Sequence, residues 1–179
     1  LDAADVLFRR GDYDDALAAF EAALDELRRL GDKPNIARGL KLAGNVLFLR
    51  GRRAEALARY EEALALAREL KDLQAQAQLQ ANLGNMQLTQ GNLEEAHANY
   101  AAAFERFRQI GDQFGSGQSL LALGNVEYLG GRYRTAAQYY DASLAPRRAM
   151  GDRPGLANAL DNLGVMEYLL GDWTTALEH

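Results

Sequence analysis

The sequence contains no cysteine and only three prolines among its 179 residues. Without cysteine the chain has no disulfide, no thiol nucleophile and no thiolate metal ligand. The longest apolar runs, such as residues 46–49, are far too short to cross a bilayer. The formal net charge of −5, with both signs interleaved, offers no basic stripe to neutralise nucleic-acid phosphates. We therefore expect a cytoplasmic protein that partners neither a membrane nor a nucleic acid.

Alanine, leucine and charged residues dominate the composition, and charged residues alone make up 25% of the chain. Together with the scarcity of proline, this balance is typical of a soluble and mostly helical protein. No stretch rich in proline or glycine marks a linker, so residues 1–179 are predicted to form a single domain. Leu1 follows no initiator methionine, and we expect the chain to be a segment of a longer protein.

The most informative feature is an internal repeat with a period of forty residues. Glycine recurs at that spacing, a second glycine lies seven residues before most of these, and an alanine and then an aromatic residue follow. These columns are Gly11, Gly51, Gly91, Gly131 and Gly171; Gly44, Gly84, Gly124 and Gly164; Ala16, Ala56, Ala96, Ala136 and Ala176; and Phe20, Tyr60, Tyr100 and Tyr140. A period of this length predicts a stack of equivalent helix pairs.

Each column has a physical reason. The first set of glycines can adopt the left-handed conformation that ends a helix. Gly44 and its equivalents are predicted to face the Ala56 column, so that the two helices of a repeat approach closely. The second turn of each repeat is marked by helix N-caps and by prolines in the first helical turn. These residues are Asp32, Asp72, Asp112 and Asp152, with Pro34 and Pro154.

Apolar residues at helical spacing place the helices between these turns. We predict first helices near 33–50, 73–90, 113–130 and 153–170, and second helices near 13–30, 53–70, 93–110 and 133–150. Residues 1–10 are predicted to be the last turns of another first helix, and 172–179 the beginning of another second helix, so partial repeats stand at both ends. The Leu-Glu-His ending also matches the start of a histidine tag, and His179 is therefore not interpreted.

The last complete first helix carries a recognisable motif. The string Leu160-Asp161-Asn162-Leu163-Gly164, followed by Tyr168, Gly171-Asp172-Trp173 and Ala176, closely resembles the tetratricopeptide consensus. The forty-residue form is similar to that of Pins/LGN adaptors, kinesin light chains and the sensor arms of bacterial regulators. This resemblance covers nearly the whole chain and implies an all-α, right-handed superhelical solenoid of antiparallel helix pairs, with about four to five repeats. The sequence departs from the pattern at Lys71, which replaces a turn glycine, and at Val165, which replaces the motif asparagine.

The resemblance also implies a binding surface, because family members hold peptides along their first helices, which line the concave side. Residues three or four apart share a helix face, and here that face carries amides, cations and aromatic rings. The predicted peptide-binding groove residues are Arg38, Lys41, Asn45, Phe48, Gln78, Asn82, Asn85, Gln118, Asn125, Tyr128, Asn158 and Asn162. An asparagine is costly inside a helix, yet its amide can pair with the main chain of an extended ligand. The alternative is that these asparagines only solvate the surface or bridge neighbouring repeats.

Other polar residues have simpler explanations. His97 shares a column with Leu17, Leu57 and Ala137, so we expect it to be partly packed and not a metal ligand. The arginine column Arg28, Arg68, Arg108 and Arg148 lies in the last turns of second helices, where cations complement the helix dipole. No nucleophile with its base, phosphate-binding loop or metal cluster can be assembled. We therefore expect no enzymatic activity, no cofactor and no metal.

Two functions remain open at this stage. The first is a protein–protein interaction module, a scaffold or regulatory adaptor, that binds a peptide segment of a partner in the concave groove. Arg38 and Lys41 would favour an acidic residue of the ligand at their end of that groove. The second is a structural array that forms homo-oligomers through its end helices, where Tyr168, Leu169 and Leu170 are apolar.

Overall fold

A computed structural model describes residues 1–171, and within that range the chain forms nine α-helices and no strand. The helices are α1 (Asp2–Arg10), α2 (Tyr13–Leu30), α3 (Lys33–Leu49), α4 (Arg53–Glu69), α5 (Leu73–Thr89), α6 (Leu93–Gln109), α7 (Gln113–Leu129), α8 (Tyr133–Met150) and α9 (Arg153–Leu170). The predicted helix pairs are confirmed, and their ends agree to about one residue. The predicted helix from residue 172 and the interpretation of His179 lie outside the described residues.

The turns use the residues that the repeat pattern assigned to them. Eight glycines at the described turns have φ between 67° and 87°, the left-handed region that glycine enters without a steric penalty. Lys71 occupies the same conformation at φ 55° with a side chain attached. Each of the four predicted N-cap aspartates accepts a hydrogen bond from the backbone N–H three residues later, at 2.8–3.2 Å.

The helices fall into two compact units. Unit 1 comprises Leu1–Met86 and unit 2 begins at Gln87, so the division lies within α5. In unit 1, a core that includes Phe20, Leu40 and Leu47 joins consecutive antiparallel helices. In unit 2, clusters around Tyr100 and around Tyr140 do the same for α6 to α9. The single domain inferred from the sequence stays a prediction.

The motif glycines contact a different partner from the predicted one. A Cβ atom on Gly44 would lie 2.6 Å from the Tyr60 ring, and one on Gly124 would lie 2.4 Å from the Tyr140 ring. Ala56 was the predicted neighbour, whereas the atoms nearest to a Cβ on Gly44 all belong to Tyr60, one helical turn later. The glycine therefore provides the space in which the buried tyrosine ring lies.

Candidate peptide-binding site

The predicted groove residues of unit 1 lie on α3 and α5 and line two neighbouring pockets. The first pocket, of about 310 Å³, has Arg38, Lys41 and Gln78 in its wall, together with Ala67 from the end of α4. The second pocket, of about 240 Å³, contains all of the remaining predicted groove residues of this unit. These are Asn45, Phe48, Asn82 and Asn85. The structure thus brings the seven predicted residues of unit 1 to two cavities on one pair of helices.

The first pocket is cationic. The Lys41 ammonium donates a hydrogen bond to Gln78 Oε1. Burial lowers the pKa of Lys41, the nearby Arg38 lowers it further, and Asp72 opposes both effects. Arg38 is exposed and its Nη2 lies 3.5 Å from Asp2 Oδ1. The pocket lining thus holds two cations and the Asp72 carboxylate, and the Asp2 carboxylate pairs with Arg38 from outside the lining.

The second pocket combines an apolar wall with amide side chains. Phe8, Phe48 and Leu49 supply apolar surface. The Tyr60 hydroxyl donates to Asn45 Oδ1 at 2.8 Å, and Asn82 Nδ2 donates to the same oxygen at 3.0 Å. Burial raises the pKa of the Tyr60 phenol, so the hydroxyl remains a donor. Asn45 therefore links the two helices of its own repeat to the next first helix, which is the bridging role considered as the alternative.

The predicted groove residues of unit 2 are held in several different ways. Tyr140 donates to Asn125 Oδ1 at 2.9 Å, which repeats the Tyr60–Asn45 bond eighty residues earlier. The Tyr128 ring is 41% exposed and lies 5.9 Å from the Tyr133 ring. Asn162 Nδ2 donates to Asn158 Oδ1 at 3.1 Å on the surface of α9. Gln118 is exposed, and its Oε1 accepts a hydrogen bond from an arginine at 3.3 Å.

That arginine, Arg147, was missed by the sequence analysis. It is 3% exposed, and its Nη1 lies 2.7 Å from Asp152 Oδ2. Its Nη2 donates to the Gly117 carbonyl oxygen at 3.4 Å as well as to Gln118. The available signal was a column of unlike residues, Leu27, Ala67, Phe107 and Arg147, next to the regular arginine column that was noticed.

The sequence matches a known family of repeat proteins. The family model described as tetratricopeptide repeat matches residues 1–69 and 73–149. The chain belongs to the tetratricopeptide repeat family. Members of this family are generally non-catalytic scaffolds for protein–protein interaction. No curated protein sequence matches this tetratricopeptide repeat chain significantly.

Solved structures share the fold at low sequence identity. BtubC from P. vanneervenii is 22% identical with a TM-score of 0.88, over 98% of this chain and 73% of BtubC. A Rap protein complexed with Competence and Sporulation Factor is 16% identical with a TM-score of 0.76, over 98% of this chain and 49% of the Rap protein. A signal transduction ATPase with a tetratricopeptide repeat sensor, from Pyrococcus horikoshii, is 16% identical with a TM-score of 0.83, over 93% of this chain and 26% of the ATPase. The tetratricopeptide solenoid fold is therefore shown, and this chain spans about half the length of that Rap protein.

A separate polar cluster in the tetratricopeptide repeats of unit 2 surrounds Glu127, which is 4% exposed. Arg132 forms a two-point ion pair with this carboxylate. His97 is half-buried, and its Nε2 lies 3.6 Å from Glu127 Oε1 and 3.3 Å from the Tyr139 hydroxyl. Arg132 supplies the charge that a buried carboxylate requires.

Neither a metal cluster nor a membrane span was found in the part of the chain that the structure describes. No group of three or more histidine, aspartate or glutamate side chains there could hold a metal ion. None of the described helices is long and apolar enough to cross a bilayer.

Proposed function

We propose that this chain is a protein-interaction module that holds a peptide segment of a partner protein against α3 and α5 of unit 1. The observation that carries the proposal is the convergence of all seven predicted groove residues of that unit on two adjacent pockets. The Rap protein with the same fold was solved in complex with Competence and Sporulation Factor, which supports a ligand-binding role for a protein of this fold. On this basis the chain acts as a cytoplasmic, non-catalytic scaffold or adaptor.

The chemistry of the two pockets defines the peptide. Arg38 and Lys41 line the first pocket, and an acidic ligand side chain that replaces the exposed Asp2 contact of Arg38 gains a charge-assisted hydrogen bond there. Phe8, Phe48 and Leu49 in the second pocket favour an apolar side chain. Lys41 and Phe48 are seven residues apart on α3, which corresponds to about 10 Å at about 1.5 Å per residue. An extended peptide covers that distance in about three residues.

The proposed function also includes the equivalent helix faces of unit 2, on α7 and α9. Gln118, Asn125 and Tyr128 lie along α7, and Asn158 and Asn162 lie along α9. Their amides and the Tyr128 ring offer main-chain pairing and an apolar contact. Asn125 is a poor probe of ligand binding, because its oxygen already accepts the Tyr140 hydroxyl hydrogen bond. Changing Asn125 would therefore alter the core as well as the surface.

A second candidate function is self-association. Val165 on α9 is 49% exposed and Leu169 is 45% exposed. Adjacent exposed apolar side chains on one helix favour a contact with another protein surface, including a second copy. In that case light scattering would show a dimer that Val165→Ser with Leu169→Ser converts to a monomer. A monomer in the unmodified protein would remove this alternative.

A library experiment tests the peptide-binding function. The protein is used to select ligands from displayed random peptides, and the enriched peptide is measured by fluorescence anisotropy. We expect Arg38→Ala with Lys41→Ala to weaken binding at least about tenfold, because each removed charge-assisted hydrogen bond is worth about 1.5–3 kcal/mol. The matched control is Arg53→Ala with Arg68→Ala, which removes two exposed cations from α4. Failure to enrich any peptide, or equal losses in both double variants, would contradict the proposal.

A further inference from the structure

The first pocket of unit 1 has a counterpart at the same repeat position in unit 2. Ala67, fully buried near the end of α4, lines the pocket of about 310 Å³. The residue eighty positions later, near the end of α8, is Arg147. Asp72 and Asp152 cap the following first helix in both units. The two sites thus share their backbone setting and their carboxylate, and they differ in the side chain that can enter the space.

Arg147 fills that space in unit 2. Its guanidinium contacts Asp152, the Gly117 carbonyl and Gln118, all from the elements that correspond to the pocket wall in unit 1. Its side chain is 4% exposed, so it is enclosed by protein. The arginine thus occupies the space in unit 2 that stays open in unit 1.

The glycines of unit 2 make room for the arginine. A Cβ atom on Gly155 would lie 1.7 Å from Arg147 Nη1, so no larger residue fits there while Arg147 keeps this position. The same relation holds for Phe107, because a Cβ atom on Gly115 would lie 2.3 Å from its ring. At the corresponding places, unit 1 pairs Ala67 with Ala75. In unit 2 a large side chain is thus matched with a glycine eight residues later, whereas in unit 1 Ala67 is matched with Ala75 and Leu27 with Asn35.

We propose that the residue at this repeat position is a specificity-determining residue, with Ala67 leaving the pocket of unit 1 open to a ligand side chain and Arg147 occupying its counterpart in unit 2. The proposal rests on the proposed peptide-binding function. It assigns the anchoring of an acidic ligand side chain to unit 1, where Lys41 and Arg38 stand in the pocket wall. In unit 2 the corresponding residues are Leu121 and Gln118, and the cation is Arg147 itself.

Removing the internal occupant tests whether it fills a true binding space. Arg147→Ala removes the Cγ and Cδ atoms and the guanidinium group, which together have the structure of ethylguanidinium. This cation is therefore used to probe the space that the substitution opens. We expect ethylguanidinium to raise the unfolding temperature of Arg147→Ala saturably, by about 3 °C at several times its Kd, with no such rise in the unmodified protein. Arg147→Ala with Asp152→Asn should lose the effect. The absence of saturable binding to Arg147→Ala would overturn the proposal.

If Arg147→Ala does not fold, Arg147→Met, which keeps an apolar stem, should bind guanidinium ions in the same assay. The absence of binding to Arg147→Met would also overturn the proposal.

Filling the open pocket tests the specificity claim. Ala67→Phe with Ala75→Gly copies the Phe107–Gly115 pair into unit 1, and Ala75→Gly alone is the matched control. We expect the double variant to bind the library-selected peptide at least about tenfold more weakly than the control, while both proteins, which share the helix-weakening Ala75→Gly change, remain folded in the assay. Unchanged affinity in a folded double variant would overturn the proposal. If Ala67→Phe disrupts folding, Ala67→Leu, which copies Leu27 of the same column, serves as the filled variant.

The two experiments also separate the further inference from the proposed function. If no peptide is selected at all, the proposed function fails, whereas the ethylguanidinium result still decides whether Arg147 occupies a pocket.

Discussion

Units 1 and 2 are built from the same repeat, yet they treat one interior position in opposite ways. In unit 1, Ala67 leaves a pocket of about 310 Å³ beside Lys41, whereas Arg147 in unit 2 is buried against Asp152. The bond from the core tyrosine to the motif asparagine, in contrast, is the same in both units, at 2.8 Å and 2.9 Å. Features that recur in both units therefore build the helix pair, and features that differ give each unit its own surface chemistry.

The comparison changes the interpretation of the motif asparagines. Asn45 and Asn125 were predicted as groove residues, and their oxygens accept hydrogen bonds from buried tyrosines. This bond offsets the poor helix propensity of asparagine, because the buried hydroxyl would otherwise lack a partner. Groove specificity is better sought in positions that differ between the units, such as Lys41 against Leu121.

The largest effect on stability is expected at Arg147. Arg147→Ala leaves Asp152 without its ion-pair partner and opens a cavity, so the free energy of unfolding should fall by about 3 kcal/mol. Chemical denaturation measures this change. Arg148→Ala, one residue later and exposed, should change it by less than about 0.5 kcal/mol. Equal effects of the two variants would mean that Arg147 is not a structural element of unit 2.

A somewhat smaller loss is expected when a Cβ atom is added to the motif glycine. Gly124→Ala places that atom 2.4 Å from the Tyr140 ring. The ring must move away from it, which should lower the free energy of unfolding by about 2 kcal/mol. In Gly117→Ala the nearest atom, Arg147 Cγ, is 3.4 Å away, and the better helix propensity of alanine should make this change neutral or stabilising. Thermal unfolding of the two variants distinguishes them. A stable Gly124→Ala protein would show that the tyrosine ring does not need the glycine.

The repeated tyrosine should make the protein sensitive to alkali. Burial raises the pKa of Tyr140 to about 12, with a smaller contribution from Tyr128, whereas a tyrosine in the unfolded chain titrates near about 10. Since the folded state retains the proton longer, stability is fully present below about pH 10 and is lost as the pH rises towards 12. Tyr140→Phe should reduce that loss by about 1 kcal/mol. Denaturation curves recorded from pH 9 to 12 test this expectation, and identical slopes for the variant and the unmodified protein would contradict it.

The smallest effect is a gain of stability at the exceptional turn. Lys71 holds φ 55° where eight other described turns have glycine, so Lys71→Gly should stabilise the protein by about 0.7 kcal/mol. A matching loss is expected for Gly91→Ala, which introduces a side chain at φ 79°. Both changes are measurable as shifts of the denaturation midpoint. A destabilised Lys71→Gly protein would show that the lysine side chain contributes more than its backbone conformation costs.

Local signals made most of the fold predictable from the sequence. Turn glycines, N-cap aspartates and apolar spacing act within a few residues, and each helix end followed from them. The seven residues predicted for the groove of unit 1 line two pockets, because helical periodicity fixes which side chains share a face. Their role in peptide binding stays a prediction.

The contacts that the sequence analysis missed lie between helices. Gly44 was paired with Ala56 because the reach of the Tyr60 ring does not follow from its spacing. Arg147 was overlooked because its burial depends on Gly155 of the following helix, where a Cβ atom would take the place of the guanidinium. Such contacts depend on side-chain size and direction across a packed interface.

Mapping a bound peptide by NMR tests the central claim most directly. The library-selected peptide is added to isotope-labelled protein, and the backbone amide shifts are followed residue by residue. We expect the largest shifts at residues 38–48 of α3 and 78–85 of α5, with residues 53–58 at the start of α4 unaffected. Shifts confined to the exposed apolar side of α9, around Val165 and Leu169, would contradict a peptide site on unit 1.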